Sequence, residues 1–287
     1  MAELPAPTIT PPETPKPSSF KRISVMRLPS WKGLSPEVQA SFIALDEALS
    51  LPRNNDAGIV NWSLGLKGTL IDALPRIEAL EHRLSVEMLA RSPVDALDPR
   101  TPLELPTRAA AQIQLLSGLS GHASAFPETL SELHRLIHGR SQGLRTTGVR
   151  SLPDRLGTYV VFPEVEEVRP GLESLHGFIL EHVDEQPAFA AAVAMTSICN
   201  IHPFEDGNGR LSRIVLNALT RKAHTSAPYL PLHELGRISR GGFLIAMRLA
   251  QYRGEWLPLA DFLRASVDFV ASVPDRGRVP AVDIRSY

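Results

Sequence analysis

The sequence predicts a mostly α-helical fold, and three stretches predict it. Pro187 to Ile201 is almost continuously apolar or small, the pattern of a helix buried on most sides. From Leu211 onward, Leu211, Ile214, Val215, Ala218 and Leu219 recur at helical spacing. Nearer the N-terminus, Ser35-Pro36-Glu37 is a helix start, and Val38, Phe42, Leu45 and Leu49 continue one face.

In chain order, residues 1 to 19 are crowded with proline, threonine and serine and offer too little apolar surface to fold. Pro12 to Pro15 has polyproline-ligand spacing, but a tail with no docking role explains it as well. The helix from Pro36 ends at the breaker Pro52-Arg53-Asn54-Asn55-Asp56, and further helices are expected near 62–74, 76–91 and 107–119. Within 76–91, Ile77, Leu80, Leu84 and Met88 line one side of an amphipathic helix. No repeat period is visible.

Composition narrows the function class. The chain has 287 residues, 43% of them hydrophobic, enough for one sizeable core with an accessory segment. Its net charge is −1 and no basic stripe appears, so a nucleic-acid groove is not indicated and the expected partner is a protein. Cys199 is the single cysteine, so no intrachain disulfide forms, and its apolar setting suits an inert thiol better than a nucleophile. No apolar run reaches membrane-spanning length and the N-terminus lacks a charged start before an apolar core. The cytoplasm is the expected location, with export by a signal-less route left open.

The chemistry is concentrated in His202-Pro203-Phe204-Glu205-Asp206-Gly207-Asn208-Gly209-Arg210, with Arg213 one turn further on. These residues form a loop between two helices. Gly207 and Gly209 free the backbone where the second helix starts, so unpaired amides and the positive helix end converge on one point, suited to a phosphate. Arg210 and Arg213 lie on one side of the first turn and can fork onto further phosphoryl oxygens, which implies a polyphosphate. Asp206 would repel bare phosphate but can hold magnesium bridging two phosphates. His202 is the group in this loop that can take a proton near neutral pH, the natural general base. Each residue also has an ordinary reading: Phe204 as a core anchor, Asn208 as a helix cap, the arginines as a solvated face. All of them coinciding in one loop favours a nucleotide site.

This stretch resembles the Fic (Fido) family signature, His-Pro-Phe-x-Asp/Glu-Gly-Asn-Gly-Arg-x-x-Arg, without a mismatch. Leu133-His134-Arg135-Leu136 with Gly143, Arg145 and Val149 looks like the helix and loop leading into that domain. Thr158-Tyr159-Val160-Val161-Phe162-Pro163 and the acidic turn after it are similar to the family's flap hairpin. Phe243 to Met247 and Gly254-Glu255-Trp256-Leu257-Pro258 look like its closing helices. The resemblance covers about residues 128–270 and implies six to eight core helices with a small β-hairpin flap. The expected organisation is a Pro-rich tail at 1–34, a helical accessory region at 35–122, a Fic core at 123–272 and a C-terminal tail at 273–287.

The resemblance further implies a protein adenylyltransferase, an enzyme moving AMP from Mg-ATP to a target protein's hydroxyl side chain and releasing pyrophosphate. His202 would deprotonate the hydroxyl, and Asp206 would hold Mg2+ between the α and β phosphates. Asn208 and the Gly207 and Gly209 amides would cradle those phosphates, Arg210 and Arg213 would grip β and γ, and Phe204 would keep the ATP loop in register. Val160, Val161, Phe162 and Pro163 would clamp the target by pairing with it as an added strand. Many members carry an inhibitory helix of pattern Ser/Thr-x-x-x-Glu-Gly/Asn. Here Glu87 is preceded four positions earlier by Arg83, so an inhibitory Glu87 competes with a plain packing helix. Restraint by a separate inhibitory protein and homodimer formation both stay open.

The remaining candidates are weaker. His134 and His138, four apart, lack a third ligand at metal spacing and read as a polar helix face. Glu164, Glu166 and Glu167 suit a helix start. Tyr252 and Trp256 are either an adenine pocket or core packing. Three other functions compete: UMP or phosphoryl transfer or AMP removal on the same scaffold, a nucleotide-binding module without turnover, and partner docking by the N-terminal region.

Overall fold

The structure is a computed structural model, and it describes residues 20–51, 111, 114–138, 143–151, 159–230, 232–239 and 242–272. The expected helices at 62–74 and 76–91, Glu87 with them, residues 107–110, 112 and 113 of the one at 107–119, and the two chain ends lie outside the described residues.

The chain is mostly helical. The helices are α1 (Pro36–Ser50), α2 (Phe126–His138), α3 (Val165–His182), α4 (Pro187–Ile201), α5 (Asn208–Ala223), α6 (Leu232–Ile238), α7 (Gly242–Arg253) and α8 (Leu257–Ser272). Two short strands, β1 (Phe20–Arg22) and β2 (Tyr159–Val161), and two 3-10 turns, Trp31–Gly33 and Ala123–Ala125, are described beside them.

Helix α4 is the axis of the molecule. Of its residues only Cys199 escapes full burial, and its alanines let neighbouring backbones approach on every side. It packs most extensively on α5, then on α3, α1 and α7. Pro187 opens the helix, where its missing N–H has no partner to lose. The Asp46 carboxylate of α1 accepts the Ala188 amide at 2.9 Å, satisfying one orphan donor of that terminus. Trp31, Phe42, Phe189 and Trp256 then pack ring against ring and tie α1, α4 and the start of α8 together.

Helix α1 follows its sequence signal: Ser35 accepts the Val38 amide as N-cap, and Phe42, Leu45 and Leu49 are buried. Residues 20–34, expected within the flexible tail, are instead built into the body. Ile23 and Met26 are each only 8% exposed, and the Met26 amide donates to Asn200 Oδ1 at 2.7 Å. A proline-rich composition hides such docking, because two buried side chains suffice to anchor the segment.

The small sheet also departs from a simple hairpin. Residues 149–151 run antiparallel to β2, with Ser151 N–H donating to Val160 O at 2.8 Å and Phe162 N–H to Val149 O at 3.1 Å. On its other edge β2 pairs in parallel with β1, Phe20 opposite Tyr159 and Arg22 opposite Val161. The hairpin arms are therefore present, and a distant N-terminal strand fills the outer edge.

Candidate active site

His202 follows directly on α4 as its C-cap residue, in the left-handed region at φ 53°, its amide donating back to Ile198 O at 3.0 Å. That conformation turns the chain sharply, as glycine does at many helix ends. In a residue with a Cβ it costs about 1–2 kcal/mol, so the surroundings must hold it. Arg145 does so. Its Nε donates to the His202 carbonyl at 2.8 Å and its own amide to Pro203 O at 2.8 Å. Its two terminal nitrogens reach Thr147 O and Pro163 O. One arginine, 3% exposed, thus ties the loop from His202, the loop after α2 and the end of the flap together. Burial pulls its pKa below the usual guanidinium value, against the pull of Glu166 and Glu167. The sequence placed Arg145 in the family pattern but gave it no role, because nothing local reveals four carbonyls converging on it.

The His202 ring stacks on Phe162 with centroids 3.7 Å apart and planes 16° off parallel. Its Nδ1 lies 3.4 Å from Cys199 O. A carbonyl only accepts, so Nδ1 carries the proton and Nε2 keeps its lone pair. Burial pushes the ring's pKa down to about 4, with the Arg145 charge adding to the shift and Asp206 and the Cys199 carbonyl opposing it. The ring is neutral at physiological pH and ready to accept a proton.

The loop closes on itself beyond His202. Phe204 is fully buried and stacks on the His134 ring, centroids 4.1 Å apart. Asn208, 2% exposed, returns both ends of its amide to the backbone of Phe204, accepting its N–H at 2.9 Å and donating to its carbonyl at 2.7 Å. Its side chain is therefore committed to the loop, and what it can offer a phosphate is its backbone amide. Gly207, the residue before α5, has φ 82°, and a Cβ there would collide with the His138 ring. Glycine is required on both counts. Asp206 is exposed at the mouth, where its Oδ1 accepts the Gly207 amide at 2.7 Å. Arg210 and Arg213 stand half-buried on the first turn of α5, Arg213 Nη1 lying over Gly209.

His134 and His138 do not form a solvated polar face. Their rings stack on each other, centroids 4.3 Å apart, and His134 Nε2 donates to Asp206 O at 2.9 Å. Burial lowers both pKa values, so they prop the loop as neutral rings. Tyr252 is half-buried and lies under the Lys21 ammonium, while Trp256 is 2% exposed and belongs to the core. Cys199 Sγ contacts Ser212 Oγ at 3.1 Å, and burial raises its pKa, which suits an inert thiol.

Among the described residues no three His, Cys, Asp or Glu side chains form a metal cluster. Magnesium fits the donor set nonetheless, because it takes one or two carboxylates and fills its remaining positions with phosphate oxygens and water. Asp206 is an exposed hard oxygen donor beside the glycine turn. No described helix is long and apolar enough to cross a membrane.

The family model of the Fic/DOC family matches residues 125–220. The chain is 29% identical over 98 residues to a protein adenylyltransferase Fic of Nematostella vectensis, covering 33% of this chain and 23% of that protein. It is 27% identical over 114 residues to protein adenylyltransferase fic-1 of Caenorhabditis elegans, covering 39% and 22%. The match thus spans under a quarter of those relatives' length. Among solved structures, a Fic family protein from Desulfovibrio desulfuricans shares the fold at TM-score 0.50 and 20% identity, over 83% of this chain and 73% of that one. Residues 125–220 thus match the Fic/DOC family, and the rest of the chain lies outside that match.

Proposed function

We propose that the protein transfers AMP from ATP to a hydroxyl side chain of a target protein. One observation carries this reading. A neutral, half-buried histidine whose Nε2 keeps its lone pair sits at one end of a turn whose other end opens a helix bearing Arg210 and Arg213. The relatives named protein adenylyltransferases support it.

The target hydroxyl oxygen attacks the α phosphorus of ATP, and the bond from that phosphorus to the bridging oxygen breaks. The hydroxyl proton passes to His202 Nε2 and pyrophosphate leaves. The Asn208 and Gly209 amides at the α5 terminus face the α and β phosphates, and Arg210 and Arg213 offset charge on the departing group. Asp206 would hold magnesium, which when bound neutralises phosphate charge. His202 is positioned by its own strained backbone, so its contribution is confined to the proton transfer.

The test is incubation with ATP labelled at the α phosphate in one tube and at the γ phosphate in another, with magnesium and a cell lysate. Protein labelled from α-ATP alone, and lost in His202→Ala, is the expected result. Label from γ-ATP would replace the reading with phosphoryl transfer. Label from neither, with nucleotide still bound, would favour another donor or a binding module.

A further inference from the structure

A short strand has two edges, and both edges of β2 are in use. Residues 149–151 hold one through the Ser151 and Phe162 amides. The other carries β1, registered Lys21 to Val160 and Arg22 to Val161, with the Ile23 amide donating to Val161 O at 3.0 Å. If a target of the function proposed above docks on the flap as an added strand, the mode the family resemblance implies, it meets an edge this chain already fills.

The hold is firm on one side of β1 and slight on the other. Downstream, Ile23 and Met26 are buried, and Asn200, two residues before His202, takes the Met26 amide on Oδ1 and donates from Nδ2 to Ser24 O at 3.3 Å. Upstream, all three β1 residues are exposed, Phe20 at 68%. What retains them besides the ladder is charge. Arg22 pairs with Glu164, itself exposed, and the Lys21 ammonium lies 4.7 Å from the centre of the Tyr252 ring. Exposed pairs of this kind hold weakly and exchange readily. The same two contacts define what the edge selects: a cation opposite Val160 for Tyr252, and a second opposite Val161 for Glu164.

We propose that β1 is an internal competitor for the target: Phe20–Arg22 occupy the flap edge, and the segment that displaces them is an extended strand with basic residues opposite Val160 and Val161. Residues from Ile23 onward stay docked while Phe20–Arg22 peel away, so release needs no unfolding of the body.

The test uses the full-length chain and a fluorescein-labelled peptide of residues 18–26 as probe. Two variants open the edge by different means: Lys21→Glu with Arg22→Glu reverses both charges on exposed side chains, and Ile23→Pro deletes the amide bonded to Val161. Both variants are expected to bind the peptide about tenfold or more tighter than wild type, since affinity scales with the fraction of molecules whose site is open. Amide exchange across Tyr159–Val161 is expected to speed up in both and to slow again on adding peptide. A peptide with both basic residues replaced by glutamate is expected to bind about tenfold more weakly to the opened variants. Equal affinity of wild type and both variants, at any level including none, overturns the proposal, as does indifference to the glutamate peptide. Neither readout uses nucleotide or turnover, so loss of the AMP-transfer reading and loss of this one are told apart.

Discussion

Between His202 and Asn208 the loop bonds to itself, Asn208 to Phe204 and Asp206 to Gly207, while Arg145 and His134 fasten it to the body. The flap at Tyr159–Pro163 is shaped from a distance, by β1, by residues 149–151 and by Arg145. Both regions meet at one stacked pair, Phe162 on His202. A loop that folds on its own contacts can be rigid before anything binds, whereas an element held by remote partners can change partners. The first suits a phosphate grip, the second a docking edge.

The largest expected effect is on the loop side of the stack. His202→Ala should lower the turnover of AMP transfer by about 10²–10⁴-fold while leaving the ATP dissociation constant within a few-fold, because a base acts in the chemical step alone. Single-turnover labelling beside equilibrium nucleotide binding separates the two. Parallel loss of binding would mean that the imidazole also shapes the loop, weakening the contrast between a loop bonded to itself and a borrowed flap.

Arg145 is where the two regions are joined, and its removal should damage both. Arg145→Ala leaves the His202, Thr147 and Pro163 carbonyls without their donor, and at ~1 kcal/mol or more for each unmet group the chain should lose about 3 kcal/mol of stability. Chemical denaturation measures this. Arg145→Lys keeps the charge but cannot fan out to three carbonyls, so it should recover only part of the loss.

Asn208→Asp probes the loop alone. The retained Oδ1 still accepts the Phe204 amide, but the second oxygen now faces the Phe204 carbonyl where a donor stood. A weakening of nucleotide binding by about tenfold is expected from the lost bond and the added repulsion. Amide exchange at Tyr159–Val161 should not change. If it does, loop and flap are coupled more tightly than their separate contacts imply.

The same division explains what the sequence disclosed. Helix α4 and the 202–213 motif were legible because their determinants are contiguous: an apolar run, a glycine at the helix start, two arginines a turn apart. Helix α1 announced itself through Ser35-Pro36-Glu37. The docking of Ile23 and Met26 was not legible, since both sit in a segment whose composition signals disorder and their partners lie more than a hundred residues away. Asn208 was assigned to phosphate because residue type and position allowed it. Only geometry shows both ends of its amide returned to Phe204. His134 and His138 read as a solvated face because helical spacing alone does not say which side of α2 meets the loop.

The smallest expected effect is a displacement on the pH axis, and it bears on the stack that joins the two regions. A free histidine loses half its basic form near pH 6.5, but burial against Phe162 holds the His202 pKa at about 4. The acid limb of kcat/KM, which reports the free enzyme, should therefore fall near pH 4, with activity level between about 5 and 7. The linked stability has a definite sign. The unfolded chain binds the proton more readily than the folded one between about 4 and 6.5, so stability is full above 6.5 and declines as pH falls through that window. Phe162→Ala uncovers the ring, and water should then raise its pKa and move the limb towards 6.5. A limb that starts near 6.5 in the wild type would mean that the flap does not rest on the base in solution, and that Phe162 takes its place only when a target brings it there.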